Sequence, residues 1–70
     1  MSAKQVYIQS QPIRLGQFLK LANMVQDGLE AKVVIRDEKV SVNGVIETRR
    51  GKQLCRGDIV RYGDFRCQVC

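Results

Sequence analysis

Apolar residues along the chain follow a helical period twice and then change to an alternating one. From Ile13 to Ala22, Leu15, Phe18, Leu19 and Ala22 keep i, i+3, i+4, i+7 spacing, which predicts a helix over 13–22 with one buried stripe. Arg14 falls at the edge of that stripe and Lys20 on the far side. Asp27, with Glu30 three residues on, reads as a capped start for a second helix over 28–36. In it Ala31, Val34 and Ile35 would face a core, while Lys32 and Arg36 point the other way with Leu29 and Val33 between them. After Asp37-Glu38 the period becomes two. Val40 and Val42 alternate with Lys39 and Ser41, and Asn43-Gly44 follows as a turn able to hold positive φ. Upstream, Val6, Tyr7 and Ile8 can add a short strand that Pro12 stops, after a polar N-terminal tail.

A second hairpin is predicted from Ile59–Tyr62 and Phe65–Val69 around Gly63-Asp64. In that register Val60 and Tyr62 share a face with Phe65, Cys67 and Val69, so Phe18, Tyr62 and Phe65 are expected in the core. The other face sets Arg61 directly across from Arg66, a locally unfavourable like-charge pair. The first hairpin carries a conflict. A strict two-residue loop pairs Val42 with Val45 but sets Val40 opposite Glu47, which predicts a bulge or a longer loop. Together these patterns predict an α+β fold, two short helices packed on a small antiparallel sheet, with residues 1–70 forming one domain.

Composition narrows the partner. The 70 residues carry a net charge of +5 and a pI near 9.5, which favours a polyanion, nucleic acid before membrane. There is no Trp to anchor an amphipathic helix and no long apolar run, so neither a signal peptide nor a membrane span is expected. Cytoplasmic location follows as the expectation. With no histidine and scattered carboxylates, catalysis, a cofactor and a small-molecule substrate are not expected. Cys67 and Cys70 have C-x-x-C spacing, but only Cys55 could serve as a third thiolate, so no metal site is expected and the three cysteines read as free thiols.

The densest positive charge lies in 48–57, where Arg49, Arg50, Lys52 and Arg56 occur without an acidic residue. The apolar pattern there does not demand burial, and Gly51 suggests a bend. With few aromatics left over for base stacking, recognition of phosphate geometry in structured RNA is the expected mode.

The spacing Ala31, Ile35, Val40, Val42, Asn43, Gly44, then Gly57-Asp58-Ile59-Val60, resembles the RNA-binding domain named after ribosomal small-subunit protein four, in its small stand-alone bacterial form. Phe18-Leu19-Lys20 and Glu47 through Lys52 add to the likeness, which spans about residues 13 to 62. The resemblance implies the alpha-L arrangement of helices and hairpin presenting a basic surface to folded RNA. It implies RNA contacts at Arg14, Lys20, Lys32, Arg36, Lys39, Arg49, Arg50 and Lys52, with Arg49, Arg50 and Lys52 foremost. The expected partner is structured RNA, ribosomal RNA or ribosome precursors, bound by a monomer. The competing expectation is an adaptor that docks an acidic protein through the same face.

Overall fold

Two helices cover one face of a five-stranded sheet in this α+β chain, and a two-stranded ribbon closes the edge of the core. The computed structural model describes residues 4–70; the start of the polar tail lies outside them. In chain order the elements are β1 (Lys4–Val6), β2 (Ile13–Arg14), α1 (Leu15–Leu21), α2 (Gly28–Arg36), β3 (Val40–Val42), β4 (Val45–Ile46), β5 (Gln53–Leu54), β6 (Ile59–Tyr62) and β7 (Phe65–Val69). The large sheet runs β1-β7-β6-β3-β4, and β2 pairs with β5. The sheet is mixed, because β1 lies parallel to β7 while the other pairs are antiparallel. A parallel pair needs a crossover, and here nearly the whole chain supplies it.

The first helix is shorter than its apolar stripe. Ile13 and Arg14 pair with Leu54 and Gln53, so they are extended and α1 starts at Leu15. Leu54 is fully buried by that pairing, which overturns the expectation that nothing in 48–57 requires burial. Both helices end in the same way. Asn23 (φ +58°) and Glu38 (φ +61°) take the left-handed conformation just past α1 and α2. The following amides, of Met24 and Lys39, donate back to the carbonyls of Leu19 and Val34, five residues earlier. The first of these turns buries Met24 and Val25, so the connection between helices is itself part of the core. Asp27 caps α2 as the sequence predicts, accepting from the Glu30 amide at 2.8 Å, while Glu30 reaches back to the Gln26 amide at 2.7 Å.

Leu15, Phe18, Leu19, Ile35, Val40, Leu54, Val60 and Val69 are fully buried. Phe65 is not. It shares the inward face of its hairpin, with Val60 opposite Cys67 and Tyr62 opposite Phe65, yet it is 53% exposed. Burial falls off toward the Gly63-Asp64 turn: Val60 and Cys67 are buried, Tyr62 is half-buried and Phe65 is exposed.

The Asn43-Gly44 turn is a tight two-residue loop with no bulge. Val42 pairs with Val45, Ser41 with Ile46, and the Glu47 amide donates to the Val40 carbonyl at 3.0 Å. The conflict over Glu47 is met by chemistry instead of geometry. Its largely covered carboxylate accepts from the Arg49 Nε at 3.0 Å and from a terminal guanidinium nitrogen at 3.3 Å. An inward carboxylate is tolerated once such a partner satisfies it.

Candidate nucleic-acid interface

The basic loop is fixed by its backbone, not by its side chains. The first amides of a helix have no partner inside the helix. In α1 the loop supplies partners: Leu15 donates to the Lys52 carbonyl at 2.8 Å and Gly16 to the Arg50 carbonyl at 3.0 Å. The Gln17 side chain accepts from the Arg14 amide at 3.3 Å. The loop is thereby locked against the start of α1, and its cations are presented from a rigid base.

Gly16 sets the closeness of that docking. A Cβ built there would lie 2.7 Å from Cγ and 3.3 Å from Cδ of Arg50, so the arginine stem occupies the space a side chain would need. Arg14, Lys20 and Arg50 consequently line one groove, floored by Gly16 and Ala31 and edged by Gln17, Gly28 and Gly51. Three cations thus come from three separate elements: the ribbon, α1 and the loop.

The remaining residues implicated by the sequence fall elsewhere. Lys32 and Arg36 are exposed on α2 and do not line this groove. Arg49 and Lys52 lie on the other side of Gly51 with Gln53 and Cys55. Arg49 is ion-paired to Glu47, whose pKa is held below the ordinary carboxylate value chiefly by the Arg49 side-chain hydrogen bond. The same pairing raises the Arg49 pKa. Its charge is partly neutralised within the chain, so Arg50 outranks it as a free cation. Lys39 stands apart, lining a depression on the outer sheet face with Ser41, Arg61 and Arg66.

Two features escaped the candidate set. Arg61 and Arg66 do oppose each other in register, a fact legible from hairpin spacing alone. Asn43 and Asp58, fifteen residues apart, are bonded side chain to side chain at 3.1 Å. The Asn43 side-chain Oδ1 also accepts from the Ile59 amide at 2.9 Å, and the Asp58 carboxylate from the Cys55 amide at 2.9 Å. The V-N-G and G-D pieces of the sequence pattern are therefore one structural lock, which holds the first hairpin to the start of β6. No helix among the described residues is long and apolar enough to cross a membrane.

The model of the S4 domain matches residues 6–70. The Bacillus subtilis (strain 168) protein named "Probable ribosome maturation protein RlbA" is 41% identical over 63 residues, which cover 90% of this chain and 89% of that protein. YbcJ of Escherichia coli (strain K12) is 32% identical over 57 residues, 81% of each chain. The solution structure of YbcJ, described as revealing an alphaL motif involved in RNA binding, superposes with a TM-score of 0.73 at 27% identity, over 99% of this chain and 89% of the other.

Proposed function

Because the chain belongs to the S4 domain family, we propose that it binds structured RNA as a single basic domain, without catalysing a reaction. The observation that carries this reading is the convergence of Arg14, Lys20 and Arg50 on one groove, fixed by backbone bonds between the loop and α1. A loop whose backbone is already fixed suits a phosphate backbone of defined shape, since little main-chain order remains to be imposed on binding. Lys32 and Arg36 on α2 and Lys52 on the loop extend the contact, Arg49 contributes least, and Lys39, which stands apart from the groove, would reach only a second stretch of the same RNA. Ribosomal RNA or a ribosome precursor is the target class, a reading supported by the ribosome maturation name of the Bacillus subtilis relative. The protein acts as a cytoplasmic monomer in this reading.

Filter binding over a salt series tests it, using a structured RNA, a DNA duplex of equal length and an acidic protein. RNA should bind most tightly, with log affinity falling steeply against log salt. Alanine at Arg14, Lys20 or Arg50 should each flatten that slope by roughly 0.7–0.9, the value for one phosphate contact. Tight binding of the acidic protein with no RNA binding would instead make the chain a protein adaptor.

A further inference from the structure

The helices cover one face of the five-stranded sheet, and the other face carries a cationic depression. Val40, Val42, Val60 and Cys67 are buried on the helix side, so the residues that alternate with them turn outward. Ser41 pairs with Ile46 on one side and with Arg61 on the other, which sets the three in one row across β4, β3 and β6. Lys39 precedes Ser41 by two residues and so shares its face. Lys39, Ser41, Ile46, Ile59 and Arg61 line the depression, and no carboxylate lines it among the described residues. Lys39 and Arg61 are exposed, and neither makes an ion pair among the described residues. Arg66 also borders the depression but is already engaged within the chain, which leaves Lys39 and Arg61 as the cations open to a ligand.

Directly opposite neighbours in a strand pair lie about 5 Å apart, so the Ser41 hydroxyl and the Arg61 guanidinium can reach one phosphate, with Lys39 placed for the next. Ile46 and Ile59 add apolar surface beside them, and none of the residues lining the depression is aromatic. That set suits a sugar-phosphate backbone and offers a base nothing to stack on. The groove of Arg14, Lys20 and Arg50 shares none of these residues and lies on the helix side. The molecule measures 26 × 25 × 20 Å, so its body separates the two cation sets. A straight stem laid in the groove therefore leaves the sheet face untouched. We propose that the outer sheet face is a second RNA-binding surface, with Lys39, Ser41 and Arg61 as its contacts, and that the chain bridges two segments of folded RNA lying on its opposite sides. The proposal rests on the RNA-binding reading above and adds bridging to it.

The test titrates the full chain with a short RNA hairpin and counts hairpins bound per chain by native mass spectrometry. One wild-type chain should take up two. Lys39→Gln with Arg61→Gln should stop at one and leave the first affinity unchanged, since at physiological salt a screening length of about 8 Å isolates one side of the molecule from the other. Lys39→Gln alone should flatten the salt slope of the second event by roughly 0.7–0.9. Arg50→Ala should weaken the first event and spare the second. The charge-conserving Lys39→Arg with Arg61→Lys should still take up two. Beads carrying one hairpin should retain a fluorescent second hairpin through the wild type but not through the double glutamine variant. Both positions are exposed, and thermal melts check that each variant folds. If the wild type takes up one hairpin, or the double glutamine variant still takes up two, this inference fails. The RNA-binding reading then stands on the loss caused by Arg50→Ala. If the wild type binds no hairpin, both fall. Capture of an acidic protein that requires Lys39 and Arg61, with no second hairpin bound, would assign the sheet face to protein docking and overturn the proposal.

Discussion

The amide of Gly16 donates to the carbonyl of Arg50 at 3.0 Å, and the bare Cα of Gly16 lets the Arg50 stem lie against the helix. One residue thus both anchors the basic loop and leaves room for its leading cation. Gly16→Ala should cost a modest amount of stability and leave the domain folded, because a Cβ 2.7 Å from Arg50 Cγ meets the root of that side chain and not its far end, and the gain in helix propensity, about 1 kcal/mol in a helix interior, is smaller in the first turn. RNA affinity should nevertheless drop several-fold, as Arg50 is pushed from its place. Gly16→Leu should cost about 1–3 kcal/mol by overpacking. Melting curves beside RNA titrations separate the two effects, and unchanged RNA affinity in Gly16→Ala would remove Arg50 from the interface.

Arg49 and Arg50 are neighbours with different chemistry. Arg50→Ala should weaken RNA binding more than Arg49→Ala, since Glu47 already holds Arg49. Glu47→Gln should release Arg49, raise the net charge from +5 to +6 and strengthen RNA binding with a steeper salt slope. Equal losses from the two arginine variants would argue against the ion pair in solution.

The Glu47–Arg49 pair also predicts a pH dependence. Glu47 has its folded pKa below the ordinary 4.5, so its stabilising effect is complete above that value. It disappears as pH falls from there through the folded pKa, where the carboxylate takes up a proton. Acid unfolding of Glu47→Gln should therefore show a shallower stability loss below about pH 4.5 than the wild type. Parallel curves would mean that the pair contributes nothing on folding.

Asn43 and Asp58 should behave as a unit. Asn43→Ala removes two side-chain bonds and forces alanine to φ near +53°, at a cost of about 2–4 kcal/mol. Asp58→Ala removes bonds to Asn43 and to the Cys55 amide. A double-mutant cycle should return a coupling of about 0.5–3 kcal/mol. Additive effects would show that the two residues act separately.

Glu38 occupies a conformation that glycine adopts without strain. Glu38→Gly should stabilise the domain by up to about 1 kcal/mol, the left-handed penalty less the entropy of glycine. For a domain of this size that is a rise in melting temperature of about 4–8 °C. A lower melting temperature would mean that the Glu38 side chain contributes more than its backbone costs.

Much of the architecture was determined by local pattern. The span of α2 with its Asp27 cap, the core faces of both helices, the Asn43-Gly44 turn and the register of Arg61 against Arg66 all follow from periods of 3.6 and 2 with turn chemistry. These are short-range effects, and every residue they need lies within a few positions along the chain. What the sequence could not supply was long-range. The parallel seat of β1 beside β7, the burial of Leu54, the loop backbone on the start of α1 and the Asn43–Asp58 bond each join segments far apart in sequence. Phe65 marks the limit most plainly. Alternation assigned it to the inward face, and it is on that face, but how far along a strand the core's cover extends is decided by tertiary packing and not by the period of the strand. Glu47 is the converse case. Its pattern predicted a bulge, whereas the fold kept the tight turn and satisfied the carboxylate with Arg49, because a charge-assisted bond two residues away disturbs the ladder less than an inserted residue would.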